Sequence, residues 1–243
     1  MTPATLDGLV NFRDVGGMPA TAGTIRRGVL YRSESVSSLS RDGRSELAAS
    51  GIGTVVDFRS EIEVARMPGI APDSSRPVLV KMPLLNGAMP TSLADLPSLD
   101  GIYRQLIQES GAIFARLASI VATGGEGVLV HCTAGKDRTG MGIALLLLAV
   151  GADRDAVLAD YTLSTQNLSG PWSKRMLEGA LSMGLEVTPE VEELVHGTSA
   201  EALTAALTLA ENRFGSVSGY LLAHGLTNDD LSGLRARLLE GGA

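Results

Sequence analysis

From Gly127 to Val150 the chain passes through three textures in order. Val128-Leu129-Val130 is a short, β-branched apolar run, as a buried strand is. His131 to Gly140 is polar and rich in turn formers. Met141 to Val150 is then apolar at nearly every position and dominated by Leu and Ala, which predicts a helix buried on all sides. The pattern recurs upstream. Gly53-Thr54-Val55-Val56-Asp57-Phe58-Arg59 reads as a buried strand presenting charges at its carboxyl end, and Ser60-Glu61-Ile62-Glu63 opens a helix. Ser40 to Ser50 has helix character, with Ser40 as N-cap and Gly51 as its stop. Pro77 to Met82 predicts another strand. Ile102 to Val121 predicts one amphipathic helix with Leu106, Ile113, Phe114, Leu117 and Val121 along its apolar stripe.

Residues 1–35 hold a Gly-rich turn, Asn11 to Gly17, followed by a short strand, Gly28 to Ser33. Leu84 to Leu99, with Pro90 and Pro97, reads as a loop long enough to be expected near a site. After Val150 the chain is helical: Asp153–Ser164, Ser173–Met183, Pro189–Leu194, Ala200–Asn212, Val217–Ala223 and Asp229–Leu239. Pro171, Gly184, Pro189, Gly215 and Gly225 punctuate it. Strands alternating with helices predict an α/β fold with a mainly parallel central sheet flanked by helices, and a helical carboxyl-terminal part.

The chemistry concentrates where the strand meets the buried helix. A loop winding onto a helix N-terminus turns several backbone N–H groups inward and makes an anion site of phosphate size. The same field favours the ionised form of a thiol at its centre, and Cys132, the single cysteine of the chain, stands there. Arg138, six residues later, can fork two oxygens of a phosphoryl group, which a lysine cannot do. Asp57 and Arg59 stand at a strand carboxyl end, where open α/β sheets gather ligands, so they are expected beside the Cys132 loop.

Composition narrows the partners. A net charge of −7 argues against nucleic acid, which needs a basic surface to displace counterions. Lysine is confined to Lys81, Lys136 and Lys174, which makes Lys136 inside the loop a pointed placement. One cysteine excludes an intramolecular disulfide and a cysteine-rich zinc site, and no cofactor or metal is expected. The first 20 residues lack the pattern of a secretory signal, and the longest apolar run is too short to span a bilayer. The expectation is a soluble, cytoplasmic chain without membrane insertion, with export by another route left open.

His131-Cys132-Thr133-Ala134-Gly135-Lys136-Asp137-Arg138-Thr139-Gly140 resembles the signature loop of the cysteine-dependent protein tyrosine phosphatase superfamily, His-Cys-x5-Arg-Ser/Thr. Its form is most similar to a bacterial tyrosine and phosphoinositide phosphatase branch of mycobacterial type. Asn11-Phe12-Arg13-Asp14-Val15-Gly16-Gly17, Asp57-x-Arg59-Ser60 and Phe214-Gly215-Ser216-Val217-x-x-Tyr220-Leu221 resemble other stretches of that branch. The resemblance implies a tyrosine-phosphatase-like domain over residues 1–243, with about 169–212 packing over the site as a helical lid. It implies phosphate monoester hydrolysis through a phosphocysteine, with Cys132 as nucleophile and Thr139 easing the thiolate's departure. Thr133, Ala134, Gly135, Lys136 and Arg138 would bind the phosphoryl group or a phosphate- or vanadate-type anion, with phosphoprotein or phosphoinositide as substrate.

The same resemblance nominates Asp137 as general acid, because the like charge of a bound phosphate favours its protonated form. Asp57 competes for that role, or serves as an ion pair flooring the loop. Arg13 and Arg59 are expected to add basic charge at the rim, which would suit polyanionic headgroups. Lipid-selective relatives, however, carry a second basic residue where Thr133 stands. Phe12, Tyr161 and Trp172 are candidates for an aromatic wall around phosphotyrosine, and His131 is expected to shape the loop. A phospholigand-binding module without turnover is the competing class. A nucleotide P-loop fails, since it needs glycine at Val130 and a hydroxyl at Asp137.

Overall fold

The computed structural model describes residues 5–70, 77–85, 98–182, 184 and 186–241. Its strands are β1 (Arg13–Asp14), β2 (Pro19–Ala20), β3 (Gly23–Ile25), β4 (Leu30–Ser33), β5 (Ile52–Asp57), β6 (Val78–Lys81), β7 (Gly127–His131) and β8 (Leu239–Glu240). Helices α1 (Arg41–Ala49), α2 (Glu61–Arg66), α3 (Leu99–Glu109), α4 (Gly111–Thr123) and α5 (Asp137–Ala149) belong to the α/β half. The helical part runs through α6 (Arg154–Leu168), α7 (Pro171–Ser182), α8 (Pro189–His196), α9 (Ala200–Phe214), α10 (Val217–Ala223) and α11 (Asn228–Leu238).

Five strands form the central sheet in the order β1-β4-β7-β5-β6, parallel except for the edge strand β1. Both faces are covered, which is why β7 is buried along its whole length. Side chains alternate between two cores as the pleat requires. Val128 and Val130 of β7, with Leu30 and Val56, enter the main core with α3, α4, α5, α9, α10 and α11. Leu129, Tyr31 and Val55 point the other way into a smaller cluster with Leu39 and Leu47 beneath α1. The mainly parallel sheet, the flanking helices and the helical carboxyl-terminal half are as the hydrophobic pattern implied.

Two differences carry physical reasons. The single helix expected over Ile102–Val121 is two, parted at Ser110, which closes α3 with φ −112° and ψ 14°. Directly after it a Cβ on Gly111 would lie 2.3 Å from the His224 ring, so the chain bends around a neighbour that no local pattern announces. The last helix stops one residue short of its expected end, because Leu239 and Glu240 pair with Ile25 and Thr24 in a small second sheet, β2-β3-β8. Of the long loop expected over Leu84–Leu99, residues 86–97 lie outside the described residues.

The lid range of 169–212 divides in the structure. In α9, Ala202, Leu203, Ala206, Leu207 and Ala210 belong to the main core, whereas the buried residues of α7 and α8, Trp172, Ala180 and Val191, do not. Helix α9 is therefore part of the body, and only α7 and α8 fit the description of a superposed layer. Truncating a fully buried core leucine costs about 2–5 kcal/mol, while an exposed position changes stability by about 0.5 or less. Urea unfolding is expected to give Leu203→Ala a loss in the first range, and Leu181→Ala, 56 % exposed on α7, one in the second.

Candidate active site

Register brings the chemistry together. Ser33 of β4 lies opposite His131 of β7, His131 opposite Asp57 of β5, and Asp57 opposite Lys81 of β6. The carboxyl ends of four parallel strands thus form one line across the sheet, and the Cys132 loop rises from its centre. Cys132 is 2 % exposed. The Gly135 backbone N–H donates to its Sγ at 3.2 Å. That turn needs φ +67° at Gly135, and a Cβ there would sit 2.1 Å from the Ser33 carbonyl oxygen, so glycine is obligatory on two counts. Helix α5 begins at Asp137, and its first paired amide is Gly140 N–H to the Lys136 carbonyl at 2.7 Å. The amides ahead of it have no intrahelical partner, so the sulfur faces free N–H groups and the positive end of a helix.

Arg138 is held over this loop by Glu63. Its Nη1 and Nη2 donate to Glu63 Oε2 and Oε1 at 2.7 and 2.6 Å, and the Thr133 hydroxyl donates to Oε1 as well. Glu63 also closes the capping box of α2, accepting the Ser60 N–H at 2.8 Å. Burial works against ionised Glu63, but the hydrogen bond and charge of Arg138 prevail and bring its pKa down to about 2. Burial likewise opposes the charge on Arg138, yet the bond to Glu63 and then the Cys132 charge raise its pKa, so it stays cationic.

Behind the loop lies a buried polar brace. Asn11 Nδ2 donates to the Ala134 carbonyl at 3.0 Å and Arg32 Nη2 to the Gly135 carbonyl at 2.8 Å. Arg32 Nη1 and Arg13 Nε pair with the two oxygens of Asp160, each at 2.6 Å. Ser164 receives a further bond from Arg13 at 3.1 Å. Burial favours protonated Asp160, but the charges of Arg32 and Arg13 outweigh it and hold its pKa below the usual carboxylate range. Arg13 was expected at a basic rim and instead stands here, behind the loop.

Arg59 is also displaced from the rim. It grips Asp57 with Nε and Nη2, the latter at 2.8 Å, and caps α2 through Nη1 to the Met67 carbonyl at 2.8 Å. Burial tends to raise the Asp57 pKa, but the Arg59 hydrogen bond leads the opposing effects and the net shift is downward. His131 lies beside this pair, its Nδ1 donating to the Cys132 carbonyl at 3.2 Å. Burial brings its pKa down to about 4, so the ring is neutral at physiological pH and shapes the loop.

Asp137 opens α5 with both oxygens occupied. Tyr103 donates to Oδ1 at 2.9 Å, and Lys136 Nζ lies 3.6 Å from Oδ2. Lys136 itself is wholly buried and donates to the Leu194 and Glu193 carbonyls at the end of α8, at 3.0 and 3.4 Å. The Thr139 hydroxyl is buried without a hydrogen-bond partner among the described residues. The three aromatic candidates are buried too: Phe12 stacks on Tyr31, Tyr161 packs on Tyr103, and Trp172 is 5 % exposed.

The structure thus gathers Cys132 to Thr139 and Asp57 at one place, with Arg59 turned onto Asp57 and Tyr161 onto Tyr103, and it sends Arg13 behind the loop and Phe12 onto Tyr31. Sequence reasoning missed Glu63, Asn11, Arg32, Asp160, Ser164 and Tyr103. Only Glu63 carried a local signal, the Ser-x-x-Glu spacing of a capping box, and that spacing says nothing of its second task on Arg138.

Residues 4–240 match the Tyrosine phosphatase family. The chain is 34 % identical to triple specificity protein phosphatase PtpB of Mycobacterium tuberculosis, across 98 % of this chain and 100 % of that one. A Cupriavidus necator protein designated a tyrosine-protein phosphatase is 34 % identical over 97 % of this chain and 88 % of its own. The crystal structure of P. aeruginosa TpbA overlaps with a TM-score of 0.34 at 18 % identity, covering 74 % of this chain and 86 % of that one. With a strand-loop-helix cradle around one cysteine and a family match over almost its whole length, the chain belongs to the tyrosine phosphatase family.

Two outcomes follow from these contacts. A histidine lowered by burial binds a proton in the unfolded chain before it does in the folded one. His131 therefore contributes no penalty above pH 6.5, and stability declines as pH falls from 6.5 towards about 4. The slope from this group is at most about 1.4 kcal/mol per pH unit. Urea unfolding across that window is expected to be flatter in His131→Asn. Glu63→Gln removes the carboxylate that aims Arg138, and kcat/KM on 4-nitrophenyl phosphate is expected to fall about ten- to a hundredfold, as for a misplaced catalytic group.

Proposed function

We propose that the chain hydrolyses phosphate monoesters, phosphotyrosine foremost, through a phosphocysteine intermediate. The observation that carries this reading is a buried Cys132 Sγ accepting the Gly135 N–H at the head of α5, with Arg138 oriented by Glu63. The Cys132 thiolate attacks phosphorus, the S–P bond forms as the bond to the leaving oxygen breaks, and that oxygen takes a proton from Asp137. Water then attacks phosphorus, its proton returns to Asp137, and the S–P bond breaks to release phosphate. Loop amides and the Arg138 guanidinium match the equatorial oxygens, where the charge of a loose transition state gathers. The unpartnered Thr139 hydroxyl is free to donate to the departing thiolate.

Asp137 is favoured over Asp57 as the acid because Asp57 is locked to Arg59, which works to keep it ionised, and a carboxylate held ionised has no proton to give. The substrate reading leans to phosphoprotein. Arg13 and Arg59 are spent inside the fold, and Lys136, the basic residue that remains in the loop, is engaged by α8. Activity on phosphoinositides would require Lys136 to leave those carbonyls. Residues 1–243 act as one phosphatase domain, with α7 and α8 as the lid; the Lys136 contact is its hold on the loop. No helix among the described residues is long and apolar enough to cross a membrane.

Turnover of 4-nitrophenyl phosphate by the wild type, inhibited competitively by vanadate, is expected to drop to background in Cys132→Ser. Equal rates in the two would reject the nucleophile. No turnover on phosphotyrosine peptides, phosphoserine peptides or phosphoinositides would favour the binding-module reading instead.

A further inference from the structure

Asp137 does not stand alone in the loop. The Tyr103 hydroxyl donates to its Oδ1 at 2.9 Å, the Tyr161 hydroxyl lies 2.5 Å from that of Tyr103, and the Ser199 N–H donates to the Tyr161 oxygen at 3.1 Å. An ionised carboxylate can only accept, so the Tyr103 hydrogen is committed to Asp137. Tyr161 must then donate to Tyr103, and Ser199 fills the acceptor place on Tyr161. Every hydrogen in the chain points towards Asp137. We propose that Tyr103, backed by Tyr161, is the positioning residue for the acid step, holding Asp137 Oδ1 so that the transferable proton sits on Oδ2.

This rests on the reading of Asp137 as general acid and adds what aims it. A carboxylic acid has one carbonyl-like and one protonated oxygen, and a donor fixed on the first decides which is which. The fold is built around the pair. Tyr103 is fully buried and Tyr161 is 1 % exposed, with their rings edge to face at 83°. A Cβ on Gly140 would lie 2.8 Å from the Tyr161 ring, so the glycine in the first turn of α5 makes room for it. Burial first, and then the charge of Asp137, raise both hydroxyl pKa values, Tyr161 to about 12 and Tyr103 well above its usual value. The tyrosines are donors that stay protonated, which excludes them as the acid itself. The charged groups facing Asp137 are Lys136 at 3.6 Å from Oδ2 and the adjoining Arg138. Neither Lys136 nor Arg138 touches Oδ1 among the bonds described.

The test compares kcat/KM, which reports phosphoenzyme formation, on phenyl phosphate and on 4-nitrophenyl phosphate, whose leaving group departs with little help from an acid. Removing a general acid costs about a hundredfold or more where the leaving group needs the proton. Asp137→Asn is therefore expected to shift the ratio of the two substrates strongly. Tyr103→Phe, which deletes one oxygen, is expected to shift the same ratio in the same direction by about tenfold, as the loss of one well-placed hydrogen bond does. Asp137→Asn/Tyr103→Phe should be no worse than Asp137→Asn alone, and the affinity for vanadate should report an intact loop. If Tyr103→Phe lowers both substrates equally, or adds its loss to that of Asp137→Asn, the positioning role is overturned while Asp137 stands. A flat ratio in Asp137→Asn removes the acid assignment and the role of Tyr103 with it.

Discussion

A sulfur buried among inward-turned amides is a conformation that a free loop would abandon. Gly135 sits in left-handed backbone, and helix α5 opens at Asp137, within the turn that follows the thiol. Each of these features is held from behind. Asn11 and Arg32 take the carbonyls of Ala134 and Gly135, and the N–H on the far edge of the Ala134–Gly135 peptide donates to the sulfur. Asp160 lets two arginines stay buried at that spot, since an unpaired charge in such a place would cost several kcal/mol. The conformation of the loop therefore depends on a charge cluster that lies behind it.

The charges around the loop are allotted one by one. Glu63 fixes Arg138, Arg59 fixes Asp57, and Asp160 fixes Arg13 and Arg32. His131 is kept neutral by burial. On the proposed reading, what remains for an incoming phosphoryl group is the row of amides, the Arg138 guanidinium and the Thr139 hydroxyl. Asp137 is placed differently from the other acids: its partners are a neutral phenol and a lysine turned to α8, so no guanidinium grips it. That difference in company sets Asp137 apart from the carboxylates that arginines grip.

The α8–α9 junction is joined to this region twice, through Lys136 to the carbonyls of Glu193 and Leu194 and through Tyr161 to the Ser199 N–H. The α8–α9 junction thus meets the same turn of α5 that carries Asp137.

The strand-loop-helix unit was legible because its causes are local. The short apolar run Val128-Leu129-Val130, the turn formers that follow, and an all-round apolar helix each sit within a few residues, and the spacing of Cys132 and Arg138 within one loop needs no tertiary knowledge. Capping at Ser40 and Ser60 was legible for the same reason. The fate of Arg13, Arg59, Phe12 and Tyr161 was not, because a charged or aromatic side chain looks alike in sequence whether it faces solvent or a partner far along the chain. Arg13 meets Asp160 and Glu63 meets Arg138 only after the sheet has set its register, and the helix expected over Ile102–Val121 breaks where His224 arrives from α10. The sequence by itself determined the class of fold, the cradle around the single cysteine and the guanidinium in the same loop, since hydrogen bonding and hydrophobic period act over short stretches. Tertiary structure alone decided which charges brace and which stay available, because pairing energies depend on distance in space and on burial, and neither is written in the order of residues.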